Sequence, residues 1–160
     1  MRKLRLALIT VLKWLLVLML LGMTVVLFAQ ITFRYFFHIP FVWSEELAII
    51  LMLWLTFLGT AVLMETDEHI SIDFFIELFP SVAQHVIELL SEVFVFLFNI
   101  GLVYGGYLVV MGTRGSITPG MKISVAWHYG GVVVGGVLLV LVSIERLLRV
   151  IKKIYGGNAT

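Results

Sequence analysis

Four long runs without a charged side chain constrain this chain more than any other feature. One covers 47–64, and runs of twenty and twenty-two uncharged residues cover 14–33 and 123–144. A fourth extends from 93 to about 111. A helix of about twenty apolar residues crosses a hydrocarbon core about 30 Å thick. The sequence therefore predicts one all-α membrane domain over 1–160, with four transmembrane helices at about 12–36, 43–65, 86–112 and 123–149.

The composition agrees with a protein embedded in lipid. Hydrophobic residues make up 61% of the chain and charged residues only 13%, which is too few to cover a soluble domain of this size. Cysteine is absent, so disulfides and thiolate metal sites are excluded. Most of the eleven Lys and Arg residues lie near the two ends of the chain, and no soluble domain carries a basic face. We therefore expect lipid as a partner and no nucleic acid.

The positions of the bases predict the orientation. Four bases precede the first uncharged run, and four follow the last one, against three in the first and third loops together. Four spans place both termini on the same side of the membrane. Because loops rich in Lys and Arg stay in the cytoplasm, both termini are predicted to be cytoplasmic.

The loop between the second and third spans has a pattern of its own. Apolar residues recur at every fourth position from Ile70 to Leu78, with acidic residues on another face. This spacing predicts a short amphipathic helix at about 69–79 that lies in the membrane interface, although the alternation at 70–74 also fits a strand. Three polar residues that begin this element are candidate assembly residues: Asp67, His69 and Asp73.

The spans lack the residues that membrane chemistry requires. Their centres contain no ionisable side chain, whereas ion and proton pathways need one. The four histidines do not lie at one depth, so a bis-histidine haem site is not favoured. Asn99 is the strongest polar residue well inside a span, and an interhelical hydrogen bond is favoured over contact with a substrate. We therefore expect neither an enzyme nor a bound cofactor.

Charged residues meet where the first span ends and the second begins. Ten residues separate Arg34 from Glu45, so both lie at the same membrane face together with Glu46. An Arg–carboxylate pair would fix how the two helices meet, and two solvated acids at a helix N-terminus are an equal alternative. The two acids point about 100° apart on a helix, so one can pair internally while the other faces a partner or water. With the interfacial residue Trp43, these are candidate assembly residues.

Glycines at helix-packing spacing occur in the last two spans. Gly101 and Gly105 form a G-x-x-x-G pattern in the third span, and Gly131 and Gly135 form another in the fourth. Small residues at this spacing let helix backbones approach closely. Glycine is also simply common in membrane helices. Two motifs in consecutive spans favour a close helix pair, within this chain or with a partner.

Several short motifs occur in order along nearly the whole chain. They are Gln30-x-x-x-Arg34-Tyr35, Trp43-Ser44-Glu45-Glu46-Leu47, Phe57-Leu58-Gly59, His69-Ile70-x-x-Asp73 and Thr118-Pro119. Together with the four spans, these motifs resemble those of the small permease (Q, DctQ-type) subunit of TRAP transporters.

The resemblance implies a tripartite secondary transporter of the bacterial inner membrane. A periplasmic binding protein would deliver an organic acid, such as a C4-dicarboxylate or sialic acid. A large permease subunit would hold the substrate and sodium sites, and this small subunit would pack against it as a scaffold. Two alternatives remain: a self-sufficient small transporter that acts as a homo-oligomer, and a membrane electron-transfer subunit.

Overall fold

The computed structural model describes residues 2–38, 41–66 and 81–156. Within these ranges the chain forms four long helices, and each contains a stretch long and apolar enough to cross a membrane. The predicted all-α class with four transmembrane helices is therefore confirmed. The predicted interfacial helix at 69–79 lies outside the described residues. The helices are α1 (Arg2–Thr32), α2 (Val42–Glu65), α3 (Ser81–Thr113) and α4 (Ala126–Gly156).

The end of α1 tightens the connection to α2. A π-helical turn, Phe33–Phe37, extends the helix, and His38 closes it in the left-handed conformation with its N–H bonded to the Phe33 carbonyl. The Phe33 ring lies 5.1 Å from the ring of Phe41, just before α2. Aromatic pairs at this separation are attractive. The first two helices are therefore joined by a short, aromatic-packed connection.

Helix α4 lies between α2 and α3, while α1 packs against α2. The buried apolar cluster consists of residues from α2 and α4, with partly buried neighbours that include Val95 of α3. This arrangement leaves α1 at the edge of the bundle. The buried members of the cluster are Ala61, Met64 and Leu139.

The close contact between α2 and α4 depends on glycine. A Cβ placed on Gly131 would lie 2.9 Å from the backbone and ring of Trp54, and one on Gly135 would lie 2.5 Å from the Cβ of Phe57. Real Cβ atoms do not approach other heavy atoms this closely. The two glycines therefore let the two helices approach to a distance that any side chain would prevent.

The other predicted glycine pair has different surroundings. Nothing lies within 4 Å of a Cβ placed on Gly101 or Gly105 in α3. Contact between α3 and α4 instead uses Gly106 and Gly136, whose added Cβ atoms would lie 3.0 Å from Val132 and 2.8 Å from Leu102 respectively. Within the described residues, the Gly101–Gly105 face therefore packs against no helix of this chain.

A buried hydrogen bond also joins α3 to α4. Asn99 Nδ2 donates to Ser143 Oγ over 2.7 Å, and that hydroxyl donates to the Leu139 carbonyl. Both polar side chains are buried, so their mutual bond offsets the cost of removing them from water. The interhelical role expected of Asn99 is confirmed.

Candidate functional site

The end of the bundle where α1 ends and α2 begins also carries the loop 114–125 between α3 and α4. We call this loop the hairpin, and this end the hairpin end. The opposite end, which carries residues 65–66, 81–92 and 145–156, is the terminal end. The two ends differ in chemistry. The most buried acid of the described residues, Glu46, lies at the hairpin end.

Glu46 binds the hairpin through both carboxylate oxygens. Its side chain is only 9% exposed. Oε1 accepts the N–H of Gly120 and Oε2 accepts the N–H of Met121, each over 2.7 Å. The Thr118 side chain lies beside the same carboxylate. Two adjacent backbone amides aimed at one carboxylate form a strong, charge-assisted contact.

The hairpin presents these amides because its own hydrogen bonds close a tight turn. The Thr118 N–H donates to the Ile123 carbonyl over 2.9 Å, and the Lys122 N–H donates to the Thr118 carbonyl over 3.1 Å. Lys122 has a positive φ of 54°, in the left-handed region, where the chain reverses. Pro119 precedes the two donors and has no N–H of its own. The turn therefore holds the Gly120 and Met121 amides side by side.

Gly120 is needed where the hairpin touches α2. A Cβ at this position would lie 2.8 Å from the backbone nitrogen of Trp43 and 3.0 Å from the carbonyl carbon of Val42. No role for Gly120 was predicted from the sequence. The dipeptide Pro119-Gly120 was the available signal, because it marks a tight turn. The dipeptide does not show which part of the chain the turn contacts.

The first turn of α2 is held from within. The hydroxyl and the N–H of Ser44 both donate to the Phe41 carbonyl, over 2.6 and 3.2 Å. Trp43 is exposed, and its ring lies 6.0 Å from that of Phe41. The backbone of Trp43 contacts the hairpin, while its ring faces outward. Trp43 therefore lies at the boundary between the site and its surroundings.

Glu45 has a different partner from Glu46. Its Oε1 accepts a hydrogen bond of 2.8 Å from Nε2 of Gln30, a buried side chain of α1. The ion pair considered for Arg34 with either acid is not present among the described residues, and Arg34 is exposed. Arg34 lies four residues after Gln30, one helical turn further along. Gln30 is therefore the residue of α1 that lies level with Glu45.

The hairpin packs against the first turns of α2, which extend beyond the start of α4. Its tip contacts Glu46, whereas the indole N–H of Trp54 donates to the carbonyl of Trp127 at the start of α4, over 3.0 Å. Eight residues of α2, about 12 Å, separate these two contacts. Helix α2 therefore extends about two turns beyond the start of α4, and the hairpin packs against that extension.

Two ion pairs at the terminal end join α3 to α4. Lys153 Nζ lies 2.9 Å from Glu88 Oε2, and Arg146 Nε lies 3.5 Å from Glu92 Oε1. Pairs that are partly exposed add little stability each. These ion pairs were not predicted from the sequence. The available signal was the spacing, because the two acids are four residues apart and the two bases seven, so that each pair of like charges shares one helix face.

The candidate assembly residues are thus distributed over the whole molecule. The structure brings Trp43, Glu45 and Glu46 together with Gln30 and the hairpin, and it leaves Arg34 exposed nearby. The other three, Asp67, His69 and Asp73, lie outside the described residues. Among the described residues, the polar contacts inside the bundle join parts of this chain to one another. This pattern is typical of a protein that holds a fixed shape.

A family model supports a specific relationship. The model described as "Tripartite ATP-independent periplasmic transporters, DctQ component" matches residues 23–153, which include the whole hairpin end.

Individual relatives carry related names. The chain is 30% identical over 139 residues to the sialic acid TRAP transporter small permease protein SiaQ of Vibrio cholerae, a match that covers 82% of this chain and 76% of that protein. It is 22% identical over 136 residues to a putative TRAP transporter small permease protein of Haemophilus influenzae, covering 85% and 84%. It is 40% identical over 77 residues to the sialic acid TRAP transporter permease protein SiaT of Haemophilus influenzae, covering 46% of this chain and 12% of that protein.

Proposed function

The chain belongs to the DctQ family of tripartite ATP-independent periplasmic transporter components, and we propose that it is the small membrane subunit that scaffolds a large permease. The resemblance found in the sequence is confirmed by the family match. The chain is accordingly a transporter component and a multi-pass membrane protein.

The family match over 23–153 carries the proposal, and the bundle supports the scaffold role. Glu46 binds the hairpin, Asn99 binds Ser143, and Trp54 binds Trp127, so these polar groups are used in contacts that fix the helices to one another. Secondary transporters bind their solute near the bilayer midplane, where interrupted helices expose polar groups to it. This chain uses its polar groups to hold a shape.

The similarity to SiaT supports association with a larger permease. Only 12% of that protein is covered by the match, so a segment like this chain lies within a much longer permease. Two segments that are joined in one protein are held close to each other at high effective concentration. A separate small subunit of the same family needs an interface to reach the same arrangement.

The transported solute is proposed to be an organic acid delivered by a periplasmic binding protein. Two relatives are named for sialic acid, which carries a carboxylate, and a C4-dicarboxylate would offer the same group. Uptake would be driven by sodium bound in the large subunit, and this chain would need no cofactor of its own. The membrane is proposed to be the bacterial inner membrane, with both termini in the cytoplasm.

Affinity purification of the tagged chain from its native membrane tests the assignment. We expect a larger membrane protein to co-purify, as measured by intact-complex mass spectrometry. Vesicles that contain the complex and the binding protein should accumulate sialic acid or a dicarboxylate only under an inward sodium gradient.

Recovery of the chain only as a homo-oligomer would contradict the scaffold role and favour a self-sufficient transporter. A haem absorbance band in the purified material would favour an electron-transfer subunit instead. Vesicles without the large subunit are the control, and they should not accumulate the solute.

A further inference from the structure

An open groove of about 410 Å³ lies below the hairpin, between α2 and the start of α4. Its volume falls within the range of about 300–1,000 Å³ that is usual for small-molecule sites. The groove begins at the base of the hairpin and continues along α4 into the membrane-spanning part of the helix. The residues that line it include Trp54, Arg114, Ser124, Trp127, Gly130 and Val134.

The upper rim of the groove is cationic. Arg114 follows directly after α3 and is exposed. Its guanidinium contacts the Met111 sulfur at 3.6 Å, and a thioether is a weak acceptor. The hairpin carries a second base, Lys122, and no acidic residue. Since a guanidinium offers five donors in a planar fork, it is suited to an oxyanion such as a phosphate.

The hydroxyl at the base of the hairpin is already occupied. Ser124 Oγ donates to the Arg114 carbonyl over 3.0 Å and accepts the N–H of Ala126 over 3.3 Å. These bonds fix the backbone of Arg114 relative to the start of α4. The hydroxyl therefore fixes the backbone at Arg114. An anion would be bound by the guanidinium of Arg114 and not by this hydroxyl.

The lower wall of the groove is apolar. Gly130 has no side chain, and a Cβ there would lie 3.4 Å from the Trp54 ring, so the helix surface is indented beside the indole. Val134 lies one helical turn further along α4 and is 45% exposed. Trp127 is 62% exposed beside the indentation, and tryptophan is typical of the headgroup level of a membrane. An apolar chain can follow this indentation from the headgroup level toward the bilayer centre.

We propose that the groove binds one anionic phospholipid, with its phosphate on Arg114 and an acyl chain along Gly130 and Val134. A free phosphate would leave the apolar wall without a partner, whereas a lipid satisfies both halves of the groove. A transmembrane helix of a partner protein would cover the apolar wall but would have to remove the guanidinium from water. The proposal requires only that the chain spans a membrane, so it stands apart from the transporter assignment.

Native mass spectrometry of the full chain, extracted with its bound partners, tests the site. Titration with phosphatidylglycerol should show one lipid bound per chain more tightly than phosphatidylcholine. Arg114→Gln should weaken phosphatidylglycerol binding by about tenfold, because the charge-assisted bonds to the phosphate are lost. Arg34→Gln is the matched control, since Arg34 is an exposed arginine at the same end of the bundle and does not line the groove. This variant should bind phosphatidylglycerol with unchanged affinity.

A second variant tests the apolar half. Val134→Phe fills the groove from an exposed position and should lower phosphatidylglycerol binding while Arg114 remains in place. Equal binding of the two lipids, or unchanged binding in both variants, would overturn the proposal. Displacement by inorganic phosphate would show a simple anion site instead. Cross-linking of Val134→Cys to another protein in the native membrane, through a thiol-attached photoreactive group, would show that a protein covers the groove and would overturn the proposal.

Discussion

Glu46 lies in α2, yet its carboxylate binds backbone amides that are 74 and 75 positions later in the chain. Burial of an acid is unfavourable unless donors replace the water that it loses. Two short bonds from Gly120 and Met121 supply those donors. At the scale of single residues, this acid therefore determines where the hairpin lies.

Replacing Glu46 by glutamine should loosen the hairpin. In Glu46→Gln, the amide group points a donor at a backbone N–H donor, so one bond is lost and the other weakens. We expect the thermal midpoint of the detergent-solubilised protein to fall by roughly 5 °C.

Glu45→Gln is the matched control for this change. The new side chain keeps an oxygen that can accept the bond from Gln30 Nε2, and position 45 is exposed. Its midpoint should stay close to that of the unchanged protein. Equal losses for both variants would show that charge at the helix start, and not the bond to the hairpin, is what matters.

The double variant, Glu45→Gln with Glu46→Gln, should also impair assembly or uptake while membrane insertion is retained.

The different directions of Glu45 and Glu46 were predictable from helix geometry, because adjacent residues point about 100° apart. Their partners were not. Arg34 was the nearest base in the sequence, but Gln30 lies level with Glu45, and the partner of Glu46 is a loop amide. Every residue except proline has a backbone N–H, so the residue types do not show which one will bind Glu46. The position of that donor depends on how α4 packs against α2.

At the scale of the helices, the same glycine motif has two outcomes. Gly131 and Gly135 face α2 at contact distance, while Gly101 and Gly105 face open space. The length and hydrophobicity of the runs predicted the helices, since crossing a membrane demands both. The face that each glycine pair presents depends on the rotation of the helix in the bundle, which the motif alone does not specify.

Gly135→Ala should separate α2 from α4. The added Cβ would lie 2.5 Å from that of Phe57 and 2.8 Å from its carbonyl carbon, so the helices must shift apart. We expect a loss of about 1–3 kcal/mol in unfolding free energy, measured by denaturation in detergent.

Gly105→Ala provides the comparison within α3. Nothing lies within 4 Å of its added Cβ, so the stability of the bundle should not fall. A larger change, Gly105→Leu, then tests whether this face meets a partner. Normal stability with reduced recovery of the large permease would place the partner there, and unchanged recovery would remove that role.

At the scale of the whole molecule, the two ends carry different chemistry. The hairpin end holds a buried acid under a loop, while the terminal end holds the ion pairs of Glu88 with Lys153 and Glu92 with Arg146. The bases near the two termini outnumber those of the hairpin end, eight against three. This asymmetry is the basis of the proposed orientation.

Reporter fusions test that orientation directly. Green fluorescent protein fused to either terminus should fluoresce, and alkaline phosphatase inserted after Gly115 in the hairpin should be active in the periplasm. The physical reason is that segments rich in Lys and Arg are retained on the cytoplasmic side. Phosphatase activity at the termini would show that the orientation is the opposite of the proposed one.

The long reach between Glu46 and the hairpin has a consequence for biogenesis. A chain is synthesised from its N-terminus, so α2 enters the membrane before residues 120 and 121 have been made. Until then Glu46 lacks the two amide donors that bind it in the complete bundle. The contact between α2 and the hairpin therefore forms late in synthesis, after most of the chain has been made.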